Sequence, residues 1–212
     1  MKKTTRIILV LIFILFLILI RFVVEIGQDK APDNRFRVTG IIDGDTVELP
    51  GGDRLRLIGI DCPERGDPFY DSASAFMSGL LLDQIPEVVY SSRRRDGYGR
   101  QLGYLYLDTL FVNAAVLRQG LACVYLFDDN LADRGRIGEL LAAQNVAIDQ
   151  RRGIWSLPHH EEPYYVAKKG SLRFHRPTCR SVRDLDPGQQ LRFETRLEAL
   201  RQGYSPCRNC RP

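Results

Sequence analysis

Five strand-like stretches, followed mainly by helical ones, constrain the fold of this chain more than any other feature of its sequence. The strand-like stretches lie at residues 35–42, 46–49, 54–60, 87–91 and 102–107. Helical patterns lie at residues 72–83, 113–119 and 133–152. Gly120 and Gly153 follow the last two patterns directly, as is common at helix ends. This order predicts a small α+β domain with about three helices and a closed barrel of five strands.

A tight turn supports the pairing of two of these strands. Pro50, Gly51, Gly52 and Asp53 separate the second strand from the third, which is a strong hairpin signal. We therefore predict a five-stranded barrel of the OB type over residues 31–157. Residues 158–163 begin and end with proline and are predicted to form a linker.

The N-terminus has the pattern of a membrane anchor. Lys2, Lys3 and Arg6 precede an uninterrupted apolar run at residues 7–20. Continued to residue 26, a helix would reach about 30 Å, which is enough to cross a bilayer as a transmembrane helix. No small-x-small cleavage site follows, so an uncleaved signal anchor is favoured over a removed signal peptide. The basic N-terminal flank predicts that the rest of the chain lies outside the cytoplasm, and the protein would be secreted if the anchor were cleaved.

The charge distribution divides the chain into three parts. Residues 1–30 carry five basic and two acidic groups, residues 31–163 carry 14 and 20, and residues 164–212 carry 11 and four. With 44% hydrophobic and 26% charged residues, the whole chain has a globular composition, which excludes disordered, collagen-like and polytopic membrane proteins. We predict an anchor at 1–30, an acidic domain and a small basic module at 164–212.

Carboxylates and arginines gather at three places in the predicted barrel. Residues 43–46 (Asp-Gly-Asp-Thr) form a bend with two carboxylates close together. Residues 56–64 place an arginine in a strand and an aspartate and a glutamate where that strand ends. Residues 96–100 (Asp-Gly-Tyr-Gly-Arg) form a tight turn that presents a tyrosine and an arginine. Carboxylates for a hard cation and arginines for phosphate oxygens are the groups that a metal-assisted phosphodiesterase requires.

In this order the motifs resemble the staphylococcal nuclease (thermonuclease) family over residues 35–155. Three shorter stretches add to the resemblance: Val112-Asn113, Gln119-Gly120-Leu121-Ala122 and Gly153-Ile154-Trp155. The resemblance implies a nuclease that hydrolyses the phosphodiester bonds of DNA or RNA.

The resemblance also implies a calcium site. Asp45 and Asp61 match the carboxylates that hold calcium, and the backbone carbonyl of Cys62 matches a third ligand. Asp43 matches a carboxylate behind these ligands. Ligation by oxygen atoms alone favours calcium over zinc.

Five further residues match catalytic or substrate-binding positions of the family. Glu64 matches the residue that positions or deprotonates the attacking water. Arg56 and Arg100 match the pair that binds the phosphate and stabilises the charge of the transition state. Tyr98 and Tyr125 match residues around the bound nucleotide.

The basic module contains a separate candidate metal site. Three residues separate His175 from Cys179, two separate Cys207 from Cys210, and 27 lie between the pairs. This spacing predicts a structural zinc site in a module too small to be secure without a metal. There are two alternatives: in an oxidising compartment, a disulfide between Cys207 and Cys210 with Cys179 paired elsewhere, or an accidental clustering of these residues.

Residues 174–212 resemble the metal-binding module of the bacterial alkylation-response regulator. In that regulator the first ligand position is a reactive cysteine, whereas His175 stands here. A structural or DNA-contacting role is therefore favoured over methyl transfer.

Together these features predict an anchored, calcium-dependent, extracytoplasmic nuclease with a zinc module that assists nucleic-acid binding. The alternatives are an inert nucleic-acid-binding OB barrel and a surface interaction protein. We expect a monomer without an organic cofactor. The predicted substrate is DNA, RNA or both, and Cys62 and Cys123 are predicted to be either free thiols or a disulfide.

Overall fold

In the computed structural model, which describes residues 13–16, 34–127 and 131–212, a curled sheet forms the centre of the nuclease-like region. Residues 35–127 contain the strands β1 (Gly40–Ile41), β2 (Thr46–Glu48), β3 (Arg54–Leu57), β4 (Gly59–Asp61), β5 (Glu87–Arg95), β6 (Gln101–Leu107), β7 (Leu110–Phe111) and β8 (Cys123–Tyr125). The main sheet has the order β1-β2-β3-β6-β5, and β7 pairs with β6. Only β3 and β6 are parallel neighbours within this sheet. The predicted hairpin between β2 and β3 is confirmed.

The sheet curls into a half-barrel, consistent with an OB-like fold of the α+β class. Within the described residues, a bridge between Arg35 and Glu87 joins its two sides. Two hydrogen bonds add to it, from the N–H of Val38 to the carbonyl of Gln84 and from the N–H of Asp83 to the carbonyl of Val38. The expected closure by five regularly paired strands is therefore absent from this part of the chain.

The predicted strand at residues 54–60 is in fact two strands. It breaks at Ile58, because Gly59 adopts a left-handed φ of 80° and turns the chain out of the main sheet. The second strand, β4, then pairs with β8 in a separate two-stranded sheet. The sequence did not predict β8, which is three residues long.

The three predicted helices of the nuclease-like region are confirmed as α1 (Tyr70–Leu81), α2 (Val112–Arg118) and α3 (Arg134–Asp149). Their apolar faces pack against the sheet in one core that includes Leu55, Leu57, Met77, Leu117 and Leu140. Beyond the ends of α2 and α3, the N–H of Ile154 donates to the carbonyl of Gly120 at 2.8 Å. This contact explains why both loops carry a glycine, since a Cβ on Gly120 would lie 2.2 Å from the carbonyl oxygen of Arg152.

The basic module forms its own small sheet and helix. Its elements are β9 (Tyr165–Lys168), β10 (Arg173–His175), β11 (Gln190–Phe193), α4 (Arg196–Arg201) and β12 (Ser205–Pro206). The sheet has the order β11-β9-β10-β12 and packs against α4 around Tyr165, Phe174 and Leu200. Thr195 caps the start of α4, because its side chain accepts a hydrogen bond from the N–H of Glu198 at 3.1 Å.

The basic module packs directly on the nuclease-like region, and residues 35–212 form one compact unit. The buried side chain of Gln144 in α3 donates to the carbonyl of Leu200 at 3.0 Å and accepts from the N–H of Val124 at 2.7 Å. From the module, the hydroxyl of Ser205 donates to the carbonyl of Val124 at 2.8 Å. Buried hydrogen bonds therefore join β8 and α3 to the module.

The predicted anchor lies outside the described residues, except for the helical residues 13–16. Within the described ranges, no helix is both long and apolar enough to span a membrane. The signal anchor at 1–30 therefore stays a prediction.

Candidate active site and the Cys/His cluster

Asp45 is a buried carboxylate that holds two loops together. It lies in the bend before β2, where its own N–H donates to Asp43 Oδ1 at 3.0 Å. The N–H of Cys62, just after β4, donates to Asp45 Oδ2 at 2.9 Å. The two segments can come this close because Gly44 has no side chain. A Cβ at this position would lie 2.8 Å from the Cys62 sulfur. The bend and the end of β4 are thereby fixed against each other.

Arg56 joins the two predicted calcium ligands. Its Nη2 lies 2.9 Å from Asp45 Oδ2 and 3.1 Å from Asp61 Oδ1, and its other Nη donates to the carbonyl of Leu57. The Arg56 side chain is only 12% exposed. The break after β3 brings these groups together, because it turns Asp61 back towards the Arg56 side chain. Both carboxylates are thus adjacent to one guanidinium group.

The environment of the Asp45 and Asp61 carboxylates favours the binding of a cation. Burial raises the pKa of Asp45 well above its usual range, Arg56 opposes that shift, and Asp43 adds to it. Adjacent carboxylate oxygens, with the Cys62 backbone beside them, form an oxygen-rich donor set of the kind that calcium accepts. The residues present therefore fit a calcium ion.

Arg100 is held by the turn between β5 and β6. Asp96 accepts from the N–H of Tyr98 at 2.9 Å and from the N–H of Arg100 at 3.0 Å. Its second oxygen accepts from Arg100 Nε at 2.8 Å. Burial acts to raise the pKa of Asp96, but these hydrogen bonds outweigh it and lower the pKa. Arg100 lines the cavity described next, and Tyr98, which also lines it, is 86% exposed.

One cavity of about 640 Å³ gathers most of the predicted site residues. Its lining includes Asp43, Asp45, Arg56, Asp61, Cys62, Glu64, Tyr98 and Arg100. Tyr125 lines a neighbouring cavity of about 300 Å³, which shares Arg56, Tyr98 and Arg100 with the first. The carboxylates, arginines and tyrosines predicted from separate motifs therefore meet at one place.

Comparison with known proteins agrees with this geometry. Residues 54–157 match the family described as staphylococcal nuclease homologue. The chain is 33% identical to Protein ParB of Escherichia coli over 66% of this chain and 82% of that protein. It is 29% identical to the thermonuclease of Staphylococcus hyicus, over 74% of this chain and 99% of that protein. The chain belongs to the staphylococcal nuclease family.

The protein is therefore a nuclease, a hydrolase of phosphodiester bonds, and its family is calcium-dependent. A similar relative is the micrococcal nuclease of Shigella flexneri, 31% identical over 62% of this chain and 79% of that protein. The family match ends at residue 157, before the basic module.

Two further arginines line the cavity of the nuclease, Arg54 and Arg208, and the motifs predicted neither as a site residue. Arg208 belongs to the basic module, and its Nη2 lies 2.6 Å from Asp61 Oδ1 and 3.9 Å from Glu64 Oε1. Its guanidinium carbon lies 5.2 Å from the centre of the Tyr125 ring. Its only sequence signal was its place between Cys207 and Cys210 in a strongly basic segment.

The four predicted zinc ligands of the nuclease form a cluster. One ligand atom from each of His175, Cys179, Cys207 and Cys210 lies within 4.8 Å of the others. His175 is 7% exposed, and its Nδ1 has no hydrogen-bond partner among the described residues. All five cysteines are free thiols, so the structure contains neither the alternative disulfide nor one between Cys62 and Cys123. Three sulfur atoms and a buried imidazole are a donor set suited to a metal ion.

Proposed function

We propose that this nuclease is a calcium-dependent extracytoplasmic enzyme that hydrolyses DNA, RNA or both. The observation that carries the proposal is the contact of one Arg56 nitrogen with both Asp45 and Asp61, in a cavity that also contains Glu64 and Arg100. An inert binding barrel would not be expected to keep this complete set.

The charges of the cavity explain the proposed division of roles. A phosphodiester is anionic and gains negative charge when water attacks it, so fixed positive groups lower the barrier. Arg56 and Arg100 are both held by aspartates and present planar donors to phosphate oxygens. The Glu64 side chain is 74% exposed in the cavity, where it is free to hold and deprotonate a water molecule.

Asp45, Asp61 and the carbonyl of Cys62 would hold the calcium ion, with Asp43 behind them. When bound, calcium supplies positive charge next to the reacting phosphate. The buried hydrogen bond from Cys62 to Asp45 supports this assignment, because it brings the backbone of Cys62, the residue after Asp61, next to the Asp45 carboxylate. Tyr98 and Tyr125 would contact the nucleotide, because both line the cavity that shares Arg56 and Arg100 with the first cavity.

We further propose that the Cys/His cluster binds zinc and that the module at 164–212 assists substrate binding. Two observations support this proposal. The cluster has a donor set suited to a metal ion, and this segment carries 11 basic but only four acidic residues. The proposed organisation also includes the anchor at 1–30 and the nuclease domain at 31–157. The basic residues before the apolar run support an extracytoplasmic position for the nuclease domain.

The function is tested by incubating the full-length protein in detergent with single-stranded DNA, double-stranded DNA and RNA. Cleavage is expected with added calcium and not with a calcium-selective chelator, and readdition of calcium should restore it. Undiminished cleavage in excess chelator would refute calcium dependence.

A further inference from the structure

Arg208 lies between Cys207 and Cys210 of the Cys/His cluster. Among the described residues of the basic module, it alone lines the active-site cavity. We propose that Arg208 binds substrate phosphate in the nuclease cavity and that a metal in the cluster holds it there. The basic module would thus be part of the active site rather than a separate tether. This inference rests on the proposed function.

The position of Arg208 suits a substrate contact. Its guanidinium lines both cavities and lies at Asp61, the same carboxylate that contacts Arg56. The side chain is 59% exposed, so a phosphate can reach its remaining donors. A guanidinium offers several N–H groups in one plane, and only one of its nitrogens is engaged with Asp61 at 2.6 Å.

The cluster fixes the backbone on which Arg208 stands. The N–H of Cys207 donates to the carbonyl of Phe174 at 2.9 Å, and the carbonyl of Cys207 accepts from the N–H of Arg211 at 2.9 Å. Residues 207–211 therefore form a tight turn with Cys207 and Cys210 directed to the cluster. A metal bound by both sulfur atoms would prevent this turn from opening.

The contacts between the module and the nuclease domain set the direction of the turn. Two arginines of the module lie close to the ring of Tyr125, with the Arg173 guanidinium carbon at 3.7 Å and that of Arg208 at 5.2 Å from its centre. Arg173 also donates to the carbonyl of Leu126 at 2.9 Å. Tyr125 ends β8, which pairs with the strand that carries Asp61, so the turn and the carboxylate share one rigid support.

The test measures binding of a fluorescent single-stranded DNA oligonucleotide to full-length protein that carries Glu64→Gln to prevent cleavage. Adding Arg208→Ala should weaken binding about tenfold and reduce the slope of log affinity against log salt by about 0.7, the value for one lost phosphate contact on a single strand. Arg183→Ala is the matched control. It removes the same charge from an exposed module residue that pairs with Asp184 and lines neither cavity.

The role of the cluster is tested with Cys179→Ser, which removes a ligand outside the Arg208 turn. Metal analysis should find about one zinc per chain in the parent and none in this variant, whose binding should fall to the level of Arg208→Ala. Adding Arg208→Ala to Cys179→Ser should then cause little further loss. If Cys179→Ser does not fold, Cys179→His decides, because it keeps four nitrogen or sulfur ligands and should retain both metal and affinity.

Equal binding and salt slopes for Arg208→Ala and Arg183→Ala would overturn the inference. So would parent protein without metal, or full affinity in a metal-free Cys179→Ser protein. The proposed function has a different readout, because calcium-dependent cleavage is measured with the parent enzyme. Its failure would leave the binding result of Arg208 unchanged.

Discussion

The side-chain amide of Asn113 donates to the carbonyl of Ile58 at 2.8 Å, and its oxygen accepts from the N–H of Leu105 at 3.0 Å. Ile58 is the residue at which the chain leaves β3, which carries Arg56, before β4, which carries Asp61. Asn113 is completely buried at the start of α2. One amide therefore fixes the strand break that brings the two active-site residues together.

Asn113→Ala should destabilise the protein and reduce its activity. The change leaves the part-buried carbonyl of Ile58 and the buried N–H of Leu105 without this partner, at about 1–3 kcal/mol for each group. Urea unfolding should show a lower midpoint, and calcium-dependent cleavage should decrease because the Arg56–Asp61 contact is no longer fixed. Gln150→Ala, at the exposed end of α3, is the control and should change neither property. Wild-type stability of Asn113→Ala would contradict this role.

The local motifs of the sequence were sufficient to predict which nuclease residues meet. Asp45, Arg56, Glu64 and Arg100 each lie within a few residues of a turn or strand end, where short-range rules apply. The break at Ile58, where Gly59 turns the chain, was missed because the contact that fixes it comes from Asn113, 55 residues away.

Contacts between distant segments explain the remaining differences. Strand β8 is too short to give an alternating pattern, and it forms because β4 is available to pair with it. Arg208 was not predicted as an active-site residue because its position depends on how the basic module packs on β8 and α3. Buried Gln144 gave no signal either, since its two hydrogen bonds join segments 20 and 56 residues away.

The two active-site arginines should differ in their effect on stability. Arg56→Ala removes the counter-charge of the buried Asp45 carboxylate and leaves it the hydrogen bonds from Cys62 and Thr46, so the free energy of unfolding should fall by about 3–5 kcal/mol. Arg100 is 29% exposed and its partner Asp96 keeps two backbone hydrogen bonds, so Arg100→Ala should unfold near the wild-type midpoint. Both variants should lose cleavage by orders of magnitude. Undiminished cleavage by Arg100→Ala would refute its proposed role.

Gly44→Ala should destabilise the protein, because the bend has no room for a methyl group. A Cβ at this position would lie 2.6 Å from the Cβ of Ala73 and 2.8 Å from the Cys62 sulfur, and such overpacking costs about 1–3 kcal/mol. The control is Gly79→Ala in α1, where nothing lies within 4 Å and the gain in helix propensity should stabilise slightly. Thermal unfolding of both variants gives the comparison, and equal midpoints would show that the bend can shift to accept the methyl group.

The proposed anchor makes a topological prediction. Protease added to spheroplasts should digest the nuclease domain, and washing of the membranes should not release the protein, because Lys2, Lys3 and Arg6 keep the N-terminus inside. A soluble product that begins near residue 28 would identify a cleaved signal peptide instead. A cytoplasmic protein expressed in the same cells serves as the control for spheroplast integrity, and protection of the nuclease in intact spheroplasts would refute the placement.

Removal of the basic module should lower the free energy of unfolding of the nuclease domain as well as its affinity for long DNA. Ending the chain at Pro163 removes the partners of Gln144 and Val124 and exposes buried surface of β8 and α3. The full-length protein should therefore unfold over residues 35–212 in one cooperative transition, and the truncated protein should unfold at lower urea. Ser205→Ala provides a milder version that deletes only the hydroxyl at the carbonyl of Val124, with an expected loss of about 1 kcal/mol. Two separate transitions in the full-length protein, with an unchanged midpoint for the truncated one, would show that the buried contacts do not couple the module to the nuclease domain.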